Sequence, residues 1–265
     1  MNKSFGLGIV IALAACSANA AQIVGGTPSF TAVRAQIETA GCPIELDPSC
    51  LVQATLGGSL QEAGSEPRAY SQVRAGFGVN GAYASVNQAQ DREAYAESIW
   101  SDAFVVHGGS GQATAQITVR LEGTLDGLGQ PGGPGSNSFY TLFVSDKPIS
   151  CDFDELDCTG NAAIPLTESL SGVQYLSASI EFTYDKPFYL ASYLGAEVVG
   201  GQTGVADFFH SAHFGISAPI DATLTTDSGT RYQAASSVPE PQSVVMFAMG
   251  MLVAWRTGSK RARHP

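Results

Sequence analysis

The chain has 265 residues with 13 Lys and Arg against 24 Asp and Glu, a formal charge of −11 at pH 7, and five cysteines. That acidity excludes a nucleic-acid partner, because such binding rests on cations that neutralise phosphates. Charged residues make up only 14% of the chain while 44% is apolar, so it can bury a core and is not a disordered chain.

Residues 1–20, "MNKSFGLGIVIALAACSANA", carry one cation at Lys3, an apolar stretch from Phe5 to Ala15 and small residues before Ala21. This is the layout of a secretory signal peptide, and it implies export and a signal peptidase as partner. Two processing routes stay open: cleavage after Ala20, or lipidation at Cys16, where Leu13-Ala14-Ala15-Cys16 has a lipobox-like order.

Residues 21–65 lack clear periodicity and are expected to be loop-rich, with room for an edge strand and a short helix. The remaining cysteines fall into two close pairs, Cys42 with Cys50 and Cys151 with Cys158. Export places them in an oxidising compartment, so disulfides are expected. Four cysteines permit three connectivities, and the spacing favours two local loops.

From residue 66 to 235 the pattern is that of short strands. Ser85 to Phe104 admits an Ala-rich helix, yet alternation after Ala94 favours a strand. From Gln116, Ile117, Val119 and Leu121 alternate with Thr118, Arg120 and Glu122; later, Ile180, Phe182 and Tyr184 alternate with Ser179, Glu181 and Thr183. Alternation of period two predicts half-buried strands. Apolar runs at Ser138 to Asp146, Pro187 to Val199 and Gly204 to Ser217, separated by Gly, Pro, Asn and Asp clusters, predict more of them. The fold class expected is all-β, an antiparallel β-sandwich of jelly-roll-like form with a C-terminal membrane helix.

Several stretches resemble reactive sites. Asp207, His210 and His213 look like metal ligands, but strict strand alternation would send the two imidazoles to opposite faces, one half-buried and one on the surface. The loop between Cys151 and Cys158 gathers Asp152, Asp154, Glu155 and Asp157, an oxygen-rich set of the kind Ca²⁺ takes. It lacks the EF-hand spacing and its glycine, so a solvated acidic loop is expected, with calcium the weaker reading and no other cofactor. Gly127 to Gly132 fits Gly-x-Gly-x-x-Gly, but Pro131 and Pro134 leave no helix to hold a phosphate, and a long turn is expected. Ser110 follows His107 without nucleophile-elbow spacing. No catalytic set emerges, and the expectation is a non-enzymatic protein. Tyr83, Tyr95, Trp100, Tyr140, Tyr189 and Tyr193 could stack on sugar rings if exposed, which keeps a carbohydrate-binding module as the alternative and a secreted hydrolase as the third reading.

Residues 236–265 close the chain. Val238-Pro239-Glu240-Pro241 precedes an apolar run from Val244 to Trp255, shorter than the roughly 20 residues of a full span. Behind it stand Arg256, Lys260, Arg261 and Arg263. Cations stay on the cytoplasmic side, so the body is expected outside the inner membrane. This tripartite end resembles the PEP-CTERM sorting signal of Gram-negative bacteria. The resemblance implies an exosortase-type membrane transpeptidase as partner, transient anchoring in the inner membrane with the body periplasmic, and delivery to the cell surface or the extracellular polysaccharide or biofilm matrix. The body at about residues 69–232 also resembles the sandwich of many proteins with this tail, through "WSDAFVV", "FTYDKPFYLASYL", "ADFFHSAHF" and "DSGTRY", a likeness that implies no shared catalytic residues.

Overall fold

The computed structural model describes residues 23–39, 51–52, 60–66, 68–88, 92–127, 135–153, 157–199 and 203–232. The signal peptide, Cys42, Cys50, Asp154, Glu155, the sorting motif, the apolar run and the basic tail lie outside them, and with them the expected C-terminal helix. Among the described residues every regular element is a strand, and no helix is long and apolar enough to cross a membrane.

The described residues form sixteen strands, β1 (Ile23–Gly25), β2 (Phe30–Thr39), β3 (Leu51–Val52), β4 (Leu60–Glu66), β5 (Ala69–Gly76), β6 (Val79–Val86), β7 (Arg92–His107), β8 (Gln112–Asp126), β9 (Gly135–Ser145), β10 (Ser150–Asp152), β11 (Asp157–Cys158), β12 (Asn161–Glu168), β13 (Gly172–Thr183), β14 (Phe188–Val199), β15 (Gly204–Ser217) and β16 (Thr223–Thr226), in three sheets. A seven-stranded sheet runs β12-β9-β14-β7-β2-β3, with β16 on β7; a six-stranded sheet runs β13-β8-β15-β6-β5-β4; a small one runs β1-β10-β11. These strand pairs are antiparallel, and strand by strand from β12 to β16 the chain alternates between the two large sheets.

Alternation explains the packing. Ile117, Val119 and Leu121 on β8 and Ile180 and Phe182 on β13 are buried, while their alternates Glu122, Ser179 and Glu181 are exposed. They meet Trp100, Phe104, Leu142, Leu190 and Leu194 of the other sheet in one core between the layers. β7 is a strand throughout, so the helical option for residues 85–104 is corrected. Its inner face carries Ala94, Ala96, Trp100 and Phe104, and small side chains there let the sheets approach. β2 and β4 fall in residues 21–65 and join the two large sheets. Alternation along β2 is hard to see because it is buried on both faces, from Phe30 to Ile37.

One polar cluster crosses the core. Asn80 of β6 donates through Nδ2 to the Ser98 carbonyl (2.9 Å) and Ser98 Oγ (2.8 Å), and its Oδ1 accepts from Ser192 Oγ (2.7 Å), which lies 3.0 Å from the Tyr140 hydroxyl. Buried polar groups tolerate such a place only when paired. Here they lock the register between sheets.

Candidate functional site

The C-terminal end of the body is latched to β7. Asp102 is fully buried; its Oδ1 accepts from the backbone N–H of Ala103 (2.9 Å) and of Ser228 (3.1 Å). Its Oδ2 accepts from Ser228 Oγ and from the Tyr232 hydroxyl, the latter at 2.8 Å. Burial pushes the Asp102 carboxyl above its ordinary value of 3.8, against the pull of these hydrogen bonds. Burial, then the Asp102 charge, holds the Tyr232 hydroxyl far above the usual tyrosine range. The Tyr232 ring lies 5.0 Å from Phe104, 5.4 Å from Phe214 and 5.6 Å from Trp100. Gly229, at φ +73, makes the turn a side chain would strain. The "WSDAFVV" and "DSGTRY" stretches, far apart in sequence, are thus one contact. It holds the last described residues, Ser228 to Tyr232, against β7.

The two outer faces differ. Over the seven-stranded sheet lies the β1-β10-β11 flap, closed by the Cys151–Cys158 disulfide, with Cα atoms 4.0 Å apart. Beneath it, Phe30, Ile99, Phe139, Phe143, Ile149, Phe153 and Tyr193 form a second core. At its margin Arg34 pairs with Glu97, donates to the Phe153 carbonyl (2.6 Å) and lies 5.3 Å from the Phe153 ring. The Tyr193 hydroxyl donates to Glu97 (3.0 Å); burial and then the Glu97 charge push that hydroxyl well up. Glu197, next to this pair, accepts from Asn137 (3.1 Å) and is raised by burial first and by Glu97 next.

The outer face of the six-stranded sheet is open. Tyr175 on β13 is 59% exposed and directly opposite Arg120 of β8, which stands opposite His213 of β15. Hydrogen bonding to Glu122, then to Tyr175, raises the Arg120 guanidinium above its ordinary value. In mid-sheet the register of β15 slips between Phe208 and Ala212 against β6. This bulge throws out Phe209 and His210, whose rings are 5.0 Å apart, with the Arg74 guanidinium 5.2 Å from the Phe209 ring. Gly81 permits it, since a Cβ there would sit 2.1 Å from the Phe209 carbonyl oxygen. Beyond it stands the Tyr83–Tyr70 pair, with centroids 5.8 Å apart.

The bulge also corrects the histidine reading. His210 and His213 are both exposed, because the extra residues in β15 break the alternation that would have buried His210. Among the described residues no group of three or more His, Cys, Asp or Glu side chains could hold a metal ion. Asp152 and Asp157 face each other across β10 and β11, and Asp157 Oδ1 accepts from the Cys158 N–H (2.8 Å). His107 has partners other than Ser110: Nδ1 lies 2.7 Å from Asp185 and Nε2 3.2 Å from Thr225 Oγ1. Thr225 Oγ1 also lies 3.3 Å from the Val105 carbonyl. The group ties the β13–β14 turn to β16. Of the aromatics expected to stack on sugars, Trp100, Tyr140 and Tyr193 are fully buried, Tyr95, Tyr189 and Tyr83 half-buried, and only Tyr83 belongs to the open face. Tyr70, Tyr175 and Phe209 complete that face. Tyr175 was readable, as an outer alternate with Val173, Ser177 and Ser179; Phe209 was not, because the bulge has no signature in the residues.

No family model matches the chain, and no curated protein does. Among solved structures it is similar to the enzymatically active domain of tailspike protein 4 from bacteriophage CBA120, with a TM-score of 0.27 and 8% identity. The match covers 60% of this chain and 19% of that protein's length.

Proposed function

We propose that this is an exported, non-enzymatic cell-surface or extracellular protein, sorted through a PEP-CTERM tail and associated with the exopolysaccharide or biofilm matrix. The observation that carries the reading is the pairing of a signal-peptide layout at residues 1–20 with Val238-Pro239-Glu240-Pro241, an apolar run and a basic end. In this reading the route is general secretion, brief residence in the inner membrane with the body periplasmic, and transpeptidation by an exosortase-type enzyme. The formed Cys151–Cys158 disulfide agrees with an oxidising compartment. The latch of Asp102 on Ser228 and Tyr232 agrees with a body that ends just ahead of the sorting segment.

The body in this reading is jelly-roll-like. The order β13-β8-β15-β6 in one sheet facing β12-β9-β14-β7 in the other supports it, being eight antiparallel strands that cross between two sheets at every step except β9 to β12. The second reading, a carbohydrate-binding module, is favoured by the open face with its three aromatic stations, Tyr175, Phe209 with His210, and Tyr83 with Tyr70.

Replacing Pro239, Glu240 and Pro241 by alanine in the exporting host tests the sorting reading. Accumulation of the uncut chain in the membrane fraction is expected, and unchanged release would overturn it. A glycan array with wild type and Tyr175→Ala tests the second reading: a hit weakened by the substitution supports it, and no hit sinks it.

A further inference from the structure

The four lateral edges of the two large sheets are not equally protected. β12 is broken by two register shifts and contains Pro165, which offers no N–H. β3 is two residues long, and β2 beside it sends Arg34 to the flap. β4 contains Glu62, Gly64 and Glu66 and packs beside β2. β13 has none of these devices. It pairs with β8 through twelve consecutive residues without a shift, has no proline, and holds one charge, Glu181, in "GVQYLSASIEFT". Among the described residues its free side pairs with no strand.

Three of the four exposed large apolar side chains among the described residues lie on β13 or the adjoining β12; the fourth, Ile220, stands apart in the turn between β15 and β16. Val173 and Tyr175 are on β13 and Leu166 is on β12, the neighbouring edge of the other sheet. Long, flat, uncharged edges are templates for another strand, which is why folded proteins ordinarily blunt them.

We propose that β13 is a self-association edge on which a second copy of this chain pairs antiparallel about a two-fold axis at Ser177. The strand's own pattern suits a second copy. Two strongly acidic copies can approach only along a strip with little charge, and an axis at Ser177 sets each Glu181 opposite the partner copy's Val173, not opposite its twin. Tyr175 then faces Ser179 and Leu176 faces Ala178. Leu176 and Ala178, half-buried against the core in one copy, gain cover from the other. The contact is isologous and closes, so it gives a dimer with a continuous sheet and not a fibre. The inference is independent of the tail and of any sugar.

Sedimentation equilibrium of the protein purified as its host exports it, over a range of concentrations, tests this. A monomer–dimer equilibrium is expected. Ser177→Lys, which sets two ammonium groups against each other at the axis, is expected to abolish the dimer, whereas Thr118→Lys, directly opposite Ser177 but one strand inward on β8, leaves it intact. An unchanged melting temperature shows that both variants fold. Ser177→Cys is expected to give a disulfide-linked dimer on mild oxidation. A wild type that stays monomeric, or a dimer that survives Ser177→Lys, overturns the proposal.

Discussion

The two outer faces come from the same strand chemistry and end differently. On the seven-stranded sheet a disulfide-closed flap excludes water, and the polar side chains beneath it must pair: Arg34 with Glu97 and Phe153, Tyr193 with Glu97, Asn137 with Glu197. On the six-stranded sheet nothing described covers the face, and Arg120, Glu122, His213 and Tyr175 meet in solvent. Similar ion pairs therefore do different work. Under the flap a lost partner leaves a buried charge; on the open face it leaves a hydrated one.

The largest effect should follow from breaking the covered pair. Glu97→Ala removes the carboxylate partner of Arg34 and the acceptor of the Tyr193 hydroxyl and is expected to cost about 3–5 kcal/mol, read as a lower denaturant midpoint. Next comes the flap itself. Cys151→Ser opens the disulfide and is expected to cost about 2 kcal/mol, with faster hydrogen exchange confined first to β1 and β10. The latch ranks third: Tyr232→Phe keeps the ring among Trp100, Phe104 and Phe214 but removes a donor to Asp102, at about 1 kcal/mol.

The latch also has a pH signature. The folded Asp102 carboxyl titrates above its ordinary value of 3.8, so between the two values the folded state holds the extra proton. Its contribution is full below the unfolded value and is lost as pH rises through the folded one. Glu197 is raised as well and adds to the same slope. Melting temperatures of wild type and Asp102→Asn, measured from about pH 4 to about pH 7, should show the wild type losing more of its stability on the way up. A parallel pair of curves would contradict the latch. The smallest effect belongs to the open face, where Arg120→Ala and Tyr175→Ala should leave the melting temperature unchanged. A clear destabilisation there would mean that the face is covered.

How far the residues disclose this depends on whether the contact is local. The alternation of β8 and β13 is local, and Ile117, Val119, Leu121, Ile180 and Phe182 were readable as inward from spacing alone. So was the pairing of Cys151 with Cys158, seven residues apart. β2 was hidden because both its faces are buried, which removes the polar alternates that mark a strand. The Asp102–Tyr232 and Arg34–Glu97 contacts join residues far apart in the chain, and nothing in either partner's neighbourhood names the other. The β15 bulge inserts residues without any glycine or proline of its own, so its half-buried Phe209 and exposed His210 followed only from the register.

The central claim, export followed by parting from the tail, is tested most directly by intact-mass spectrometry of the protein recovered from the cell surface and medium. The account predicts a chain that begins at Ala21 or at a lipidated Cys16, keeps Cys151 and Cys158 oxidised, and ends near Pro239-Glu240-Pro241 without Arg256 to Pro265. A chain running intact from Met1 to Pro265 would contradict it.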